Sequence, residues 1–548
     1  MGIHTISKKR FGLLAALICS MIGYYGCAVV LRFGVAVPAI LYWLFFLAIP
    51  GISLLLISDN EAFNVILLVL NSLSVYSIFF LQNTTWYPAS RDCQYDLQIV
   101  SLIYRNAVWF PGMGTGFSSA ASLTPAIHFF LASLSIVTGV QPYQAMFLIP
   151  WLKGVGIALF FYLLAREVLP NVQMVFLASM TYLGTFWYMD APHRQLFAEI
   201  LFIGILWIYF SRKKVLELRI VLILFMLILT MSHHFTSYVF LLLAVALYIF
   251  DRERRSKMPH FVLPLTIVLF WVSFVSFEVT YKYGVSFFEG LQEVLGWNFP
   301  KAPSFVATTI FYTPFESVLV FLNPLLISLL AFPFFLKEIR SRRQNSLVAT
   351  TLVLGALLML ALLLYVINAA MGTAFLRIWD FVYIPFSIWS CLFLWKVFRN
   401  PRVRTIISVA LIVILFASAN LSSMESGIKK WYVSPGSVEA YMYSDSMVNT
   451  ALWCGVNLNG SILGDHFAYD IIGTWGNMEV AGSAFQYWYQ TKDAGVINAF
   501  DYVIISPKDQ TTYLDTFRQP IDPFALLPAN MSVVYSSGDL IVYRGPHG

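Results

Sequence analysis

The sequence predicts an α-helical polytopic membrane protein with about thirteen transmembrane helices and a small extracytoplasmic α/β domain at its C-terminal end. Of its 548 residues, 59% are hydrophobic and 11% are charged, whereas a soluble domain carries about 25% charged residues. Lipid must therefore solvate most of the chain. Apolar stretches near the ~20 residues that span a bilayer lie at 11–31, 36–57, 62–81, 145–165, 172–188, 196–210, 217–231, 236–250, 261–280, 317–336, 347–369, 381–397 and 405–420.

Basic residues set the predicted topology. Twenty of the 34 Lys and Arg fall in six clusters, at 8–10, 166, 212–219, 252–257, 337–343 and 396–404. These clusters share one side of the membrane only if the apolar stretch 123–139 does not cross it. The positive-inside rule thus favours a surface helix at 123–139 and a cytoplasmic N-terminus in the plasma membrane. Basic residues placed as topology anchors require no nucleic-acid partner.

The tail from residue 421 to 548 changes character. Short apolar runs at 461–463, 502–506, 532–535 and 540–543 are separated by Gly, Asp and Pro, a pattern typical of strands and turns. Helices, such as one at 436–454, are expected between them. The tail is predicted to be a small α/β domain outside the membrane.

A polar external loop, 82–122, holds the first candidate site residues, Asp92 and Asp96. A charge near hydrocarbon costs roughly 3 kcal/mol unless it is paired or solvated, so acids here favour a function. If a helix begins at Asp92, the two carboxylates share a face and can bind Mg²⁺ or Mn²⁺. Either acid is also a candidate general base for an acceptor hydroxyl. The alternative is a solvated loop in which Asp92 caps a helix.

The next external loop offers four more candidates. Asp190 and His193 have the chemistry to complete a metal site, and Arg194 has the planar donor fork that clamps a donor phosphate. Glu199 begins the following span, where a carboxylate needs a partner, and is a candidate for substrate binding. The alternative is an interfacial turn with ordinary anchoring charges.

Further candidates lie at other outer boundaries. His233 and His234 point about 100° apart on a helix, so we expect only one of them to face a ligand. Arg377, in the predicted short external loop 370–380, is a candidate for the donor phosphate, although it can instead pair with Asp380 one turn away. Lys282, in a long external loop, is a further candidate for the phosphate, with a solvated loop as the alternative.

The order of these segments along the chain resembles that of the GT-C superfamily of glycosyltransferases, which use polyprenyl-phosphate-linked sugars. The resemblance is strongest to an archaeal branch. It rests on the acid pair in 91–96, the start of a surface helix at 124–128, the cytoplasmic turn at 165–168, and the segments 194–199 and 232–238.

The resemblance implies an inverting transfer of a sugar from a polyprenyl (dolichyl) phosphate to a lipid- or protein-linked glycan on the external face. Asp92 is the implied base, and Asp96 and Asp190 are secondary acids or metal ligands; metal dependence varies across the superfamily. The implied catalytic core is 62–420, with two added N-terminal spans in 1–61. The soluble domain lacks the Trp-Trp-Asp-Tyr-Gly segment of oligosaccharyltransferases, which argues against transfer of a whole oligosaccharide to asparagine.

Two other classes of function stay open. A transporter or flippase for a lipid-linked or polar solute needs acids near the bilayer midplane, with broken helices or internal repeats. No clear repeat is present, and Lys153, inside a span, is the one charge that favours transport. A non-catalytic envelope protein, whose external domain binds a partner, is the third class.

Overall fold

The computed structural model describes residues 8–32, 37–82, 91–114, 121–185, 194–211, 216–250, 259–277, 281, 285, 314–340, 346–367, 372–422, 444–507, 524, 527–528 and 531–545. The chain divides into two compact units. The first, named the helical unit, comprises Met1–Thr84, Pro150–Asp190 and Gln195–Ser426. The second, named the mixed unit, comprises Thr85–Ile149, Ala191–Arg194 and Gly427–Gly548.

Helices account for the described chain up to residue 422. In chain order they are α1 (Lys8–Arg32), α2 (Ala39–Leu56), α3 (Glu61–Gln82), α4 (Arg91–Asn106), α5 (Ala126–Thr138), α6 (Pro142–Met146), α7 (Leu148–Val168), α8 (Val172–Gly184), α9 (Arg194–Phe210), α10 (Leu216–Ser232), α11 (His234–Phe250), α12 (Pro259–Phe274), α13 (Pro314–Arg340), α14 (Ser346–Ile367), α15 (Gly372–Val397) and α16 (Pro401–Ser422). Of these, α4, α5 and α6 belong to the mixed unit.

The predicted class, a helical membrane protein with a small C-terminal sheet, is confirmed. By length and composition, five described helical segments can cross a membrane: Lys8–Val30, Pro142–Val168, Leu322–Arg340, Arg377–Val397 and Pro401–Asn420. Shorter apolar helices occupy seven further described segments. The count of thirteen spans stays a prediction, because a span needs about 20 residues and these seven are shorter.

Helix α5 has the properties expected of the predicted surface helix. Its 13 residues reach about 20 Å at 1.5 Å per residue, less than the ~30 Å of the hydrocarbon core. It begins after Pro125 and ends at Gly139, whose φ of 73° gives the left-handed cap that favours glycine. One face is buried, including His128 and Leu131, while Ile136 and Val137 are exposed.

Polar side chains and glycines join the helices of the helical unit. Asn323 Nδ2 donates to the Gly184 carbonyl at 2.9 Å, and Ser72 Oγ donates to the Gly154 carbonyl at 2.6 Å. A Cβ at Gly184 would lie 2.8 Å from Leu415 Cβ, so the glycine permits a close approach of α8 to α16. Small residues and interhelical hydrogen bonds are the usual means of helix association in lipid.

The predicted external loop 370–380 is wrong over its described part. Helix α15 already begins at Gly372, so Arg377 and Asp380 lie on a helix instead of in a loop. The error has a physical cause: two charged residues beside an apolar run suggest a solvated end, but Asp380 is only 4% exposed. The helix continues because its backbone hydrogen bonds do not depend on the polarity of the side chains.

The C-terminal part of the mixed unit has the four predicted strands. They are β1 (Ile462–Gly464), β2 (Tyr502–Ile505), β3 (Ser532–Ser536) and β4 (Ile541–Arg544), in the order β1-β2-β4-β3. Strands β1 and β2 are parallel, and the other two pairs are antiparallel. Helices α17 (Asp445–Asn457), α18 (His466–Ile471), α19 (Gly482–Thr491) and α20 (Ala494–Asn498) join a π-helical turn, Ile472–Gly476, around the sheet.

Helix α4 packs directly against the C-terminal part of the mixed unit. The Gln94 carbonyl accepts from Thr474 Oγ1 at 3.0 Å, and the Gln94 Oε1 accepts from Trp475 Nε1 at 3.3 Å. Tyr95 Oη donates to Asp470 Oδ1 at 3.3 Å. These contacts require α4 and the sheet to lie on the same side of the membrane, so the chain crosses an even number of times between them. An added span at 123–139 would make the ten spans predicted after residue 145 an odd eleven, which this packing opposes.

Gly455 provides a test of how α17 packs against the π-helical turn. A Cβ at Gly455 would lie 2.5 Å from the Gly476 carbonyl oxygen of the π-helical turn. We expect Gly455→Ala to lower the free energy of unfolding by about 1 to 3 kcal/mol, because overpacking forces the backbone apart. The adjacent Val456 is 84% exposed, so Val456→Ala is the control and should change little. Thermal unfolding of the purified protein measures both, and equal unfolding temperatures would contradict the packing.

Candidate functional site

Asp96 is the centre of a fully buried polar cluster in the mixed unit. Its Oδ1 lies 2.9 Å from His128 Nε2 and 3.0 Å from Arg194 Nε. Its Oδ2 accepts from the Arg194 backbone N–H at 3.3 Å. The carboxylate therefore joins α4, α5 and the first residue of α9. Asp96, His128, Arg194 and Thr124 are called the Asp96 cluster below.

The cluster fixes the guanidinium of Arg194. Its Nε is bound to Asp96, and its Nη1 donates to Thr124 Oγ1 at 3.3 Å. The Arg194 side chain nevertheless keeps 18% of its surface exposed. A planar cation held on one edge and accessible on another has the chemistry to bind a phosphate with little reorganisation. This fits the predicted phosphate role of Arg194.

His128 is neutral in this environment at pH 7. Burial lowers the pKa of His128 from its ordinary value of 6.5, and the neighbouring Arg194 lowers it further, while the hydrogen bond and charge of Asp96 oppose this. Its Nδ1 is buried without a hydrogen-bond partner, which would leave a second N–H unsatisfied in the charged form. The neutral ring donates its Nε2–H to Asp96, and Arg194 balances the charge of the carboxylate.

The structure describes part of the acid set predicted from the sequence. Helix α4 includes Asp92 and Asp96, so the predicted helix is present and positions 92 and 96 share a face. The Asp92 side chain is outside the described atoms, and its catalytic role stays a prediction. Asp190, His193 and Lys282 lie outside the described residues altogether.

Of the four predicted ligands of the Mg²⁺ or Mn²⁺ ion, only Asp96 has a described side chain, so the ion stays a prediction. In the described ranges no group of three or more His, Cys, Asp or Glu side chains has metal-binding geometry. The oxygens of Asp96, the predicted ligand whose side chain is described, already accept from His128 and from the permanent cation of Arg194. A divalent ion on the same oxygens would be repelled by the guanidinium. No chemical step below depends on a metal.

Glu199 has the partner that its place in a span requires. Its Oε2 lies 2.6 Å from Lys153 Nζ, and its Oε1 accepts from Gln195 Nε2 at 3.0 Å. All three side chains are buried in the helical unit. The prediction that Glu199 needs a partner is confirmed. The partner is Lys153, the residue that favoured a transporter in the sequence analysis.

Two more charges accompany this pair. Asp380 lies within electrostatic range of Glu199, Lys153 and Arg377. Among the described residues, neither Asp380 oxygen has a hydrogen-bond partner, nor has Arg377 Nε. Arg377 and Asp380 therefore do not form the hydrogen-bonded pair considered as the alternative. Lys153, Glu199, Arg377 and Asp380 are called the buried charge cluster below.

The two histidines lie where α10 ends and α11 begins. His233 is buried, and its Nδ1 is 2.8 Å from Thr236 Oγ1. His234 is partly exposed, and the two ring centroids are 5.1 Å apart. The different environments agree with the expectation that only one ring faces a ligand. A substrate contact by either stays a prediction.

Sequence reasoning did not predict His128 or Lys153 as site residues. His128 follows a helix start on an otherwise apolar segment, and only its distance to Asp96 reveals its role. Lys153 gave a stronger signal, because a lysine inside a span needs an opposite charge at similar depth. Glu199 met that condition in the sequence.

By structure, the chain is similar to ArnT from Cupriavidus metallidurans bound to undecaprenyl phosphate, with a TM-score of 0.50 at 11% sequence identity. The alignment covers 87% of this chain and 97% of that one. ArnT from the same organism in the apo state gives a TM-score of 0.40 at 11% identity over the same shares. No protein-family model matches the chain, and no curated protein matches it. At this identity the likeness shows that the chain shares the fold of ArnT, while membership of the GT-C superfamily and of its archaeal branch stays a prediction.

The neutral His128 provides a pH test of the Asp96 cluster. Because its pKa is lowered in the folded protein, the unfolded chain binds more protons at this position as the pH falls below 6.5, and stability falls with it. His128→Gln keeps a donor for Asp96 but does not titrate. We expect its loss of unfolding free energy between pH 7.5 and 5 to be smaller than in the wild type by about 1 kcal/mol. Thermal unfolding at both pH values measures the difference, and equal slopes would contradict a neutral His128.

Proposed function

We propose that this chain is a membrane glycosyltransferase that transfers a sugar from a polyprenyl phosphate to a glycan acceptor, carried on a lipid or a protein, at the external face. The observation that carries the proposal is the fixed, partly exposed Arg194 of the Asp96 cluster, in a chain with the fold of ArnT. The similar ArnT structure is bound to undecaprenyl phosphate, a ligand with the phosphate and polyprenyl chain that such a donor contains.

The proposed reaction is a single displacement. Asp92 takes the proton of an acceptor hydroxyl, and that oxygen attacks the anomeric carbon of the sugar. The bond from the anomeric carbon to the phosphate oxygen breaks, and its electron pair leaves with the polyprenyl phosphate. One displacement inverts the anomeric configuration. A positioned carboxylate base contributes about 10²- to 10⁴-fold to such a rate.

Arg194 stabilises the phosphate that leaves. A donor aimed at developing charge is worth about 10²- to 10³-fold in rate when its position is fixed beforehand. Asp96 is a positioning residue in this proposal, because its own oxygens are engaged by His128 and Arg194. This role differs from the catalytic role predicted for both acids.

Transport is the weaker proposal. Its support in the sequence was Lys153, a charge inside a span. The 2.6 Å pair with Glu199 gives that lysine a structural reason, since a buried charge needs a compensating one. The ion pair with Asp96 gives Arg194 a structural role as well, but this cation keeps 18% of its surface exposed, so interface chemistry stays the stronger proposal.

Asp92→Asn tests the base. We expect the variant to lose sugar transfer from radiolabelled polyprenyl-phosphate sugars by at least about 10²-fold and to bind the donor normally. Glu217, an exposed acid in the first turn of α10, provides the control variant Glu217→Gln, which should transfer at the wild-type rate. An equally active Asp92→Asn would exclude Asp92 as the base. An absence of transfer by the wild type from any donor would favour the transporter, and EDTA in a parallel assay tests a metal.

Arg194→Lys tests the phosphate contact. Lysine keeps the charge but cannot bind Asp96 and a phosphate oxygen through a planar fork. We expect transfer to fall about 10- to 100-fold, with weaker binding of undecaprenyl phosphate without a sugar. Asp96→Asn, which leaves Arg194 less firmly held, should reduce transfer in the same direction. Undiminished lipid binding in a correctly folded Arg194→Lys would show that Arg194 is only structural.

A further inference from the structure

The buried charge cluster is complete on one side. Lys153 from α7 and Glu199 from α9 form their ion pair at 2.6 Å, and Gln195 donates to the other carboxylate oxygen of Glu199. The Lys153 ammonium also lies 5.6 Å from the centre of the Tyr76 ring, a cation–π distance. In this half of the cluster each charge lies against an opposite charge, and Glu199 also accepts a hydrogen bond from Gln195.

The half on α15 is incomplete. Asp380 is 4% exposed, yet neither of its oxygens has a hydrogen-bond partner among the described residues. The same holds for Arg377 Nε, Tyr383 Oη and Ser387 Oγ. Their spacing of three, three and four residues places them on one face of the helix. Buried polar groups without partners are rare and costly, so this polar stripe is expected to receive its partners from a bound molecule.

The charges of the cluster select the class of that molecule. Glu199 opposes a phosphate, and the two cations, Lys153 and Arg377, repel a metal ion. A neutral molecule with several hydroxyl groups matches the stripe, because each hydroxyl can donate to a carboxylate and accept from a guanidinium or phenol.

The stripe also has an approach and an apolar wall. Arg377 and Trp379 are partly exposed, whereas Asp380 and Tyr383 are buried, so the stripe is most accessible at its Arg377 end. The Trp379 ring stacks on Tyr383 with 5.4 Å between the ring centres. Polar groups beside an aromatic surface are typical of ligand pockets and suit the alternating hydroxyl and C–H groups of a sugar.

We propose that Asp380, with Arg377 and Tyr383, binds the hydroxyl groups of an uncharged sugar. That this sugar is the one carried by the donor lipid rests on the proposed function. The inference goes further in naming its class: a neutral hexose instead of an acidic sugar. Asp380 acts as a substrate-binding residue.

The test measures binding to wild type and Asp380→Asn. The probes are undecaprenyl phosphate bearing glucose, galactose, mannose or glucuronic acid, undecaprenyl phosphate without a sugar, and the free hexoses. In the wild type, at least one neutral hexosyl lipid should bind more tightly than the bare lipid. Asp380→Asn should weaken that lipid by about 10- to 100-fold, as expected for hydrogen bonds to a charged group, and leave the bare lipid unchanged.

Stability separates a binding role from a structural one. Asp380→Asn keeps the size of a side chain that has no hydrogen-bond partner among the described residues, so its unfolding temperature should stay close to that of the wild type. Glu217→Gln, with wild-type binding and stability, is the control. A variant that loses stability together with binding of the bare lipid would assign Asp380 to the fold and overturn the inference.

The remaining outcomes distinguish this inference from the proposed function. If no neutral hexosyl lipid binds better than the bare lipid, or Asp380→Asn binds it as the wild type does, the sugar site is excluded even where transfer occurs. If the wild type transfers from no donor but Asp380→Asn still lowers hexose binding, the sugar site stands and the transferase fails. A loss seen with free hexoses alone assigns the site to a free sugar instead of the donor.

Discussion

The geometry of the candidate site depends on one buried carboxylate. Asp96 has no solvent exposure, and it binds His128 and Arg194, which lie 32 and 98 residues further along the chain. Removing one partner of such a buried pair costs about 3 to 5 kcal/mol, because the other charge is left uncompensated. The position of Arg194 therefore depends on Asp96. The ion pair holds the guanidinium in place for any ligand that it binds. The contact between Asp96 and Arg194 thus both stabilises the fold of these segments and positions the guanidinium.

Two independent observations constrain the path of the chain through the membrane. The basic clusters favour a surface helix at 123–139, since only then do they lie on one side. The packing of α4 against Thr474 and Trp475 requires an even number of crossings between them, which the same surface helix satisfies. Loop charges are selected during insertion, whereas the contacts of Gln94 form in the folded unit. Their agreement supports the relative sidedness of α4 and the sheet without fixing the total number of spans.

Secondary-structure elements were easier to predict from the sequence than the contact partners of buried side chains. Strands β1 to β4 were predicted from short apolar runs between turn residues, because that signal is local. The need of Glu199 for a partner was also visible, as the cost of a charge in lipid is a property of one residue. The identity of that partner, Lys153, depends on how helices pack, which periodicity does not give. The same limit explains why Arg377 and Asp380 were placed in a loop: charge indicated solvent, whereas both lie on a helix and Asp380 is buried.

The two clusters differ in a way that stability alone does not explain. In the Asp96 cluster each carboxylate oxygen has a donor, so the ion pair contributes to holding its unit together. Asp380 has charges nearby but, among the described residues, no donor on either oxygen. An asparagine of the same shape would lose no hydrogen bond there and would avoid the desolvation of a carboxylate. Residues that lower stability and have no compensating contact within the fold are concentrated at binding sites. The unsatisfied acid is thus the part of the helical unit whose presence a ligand explains best.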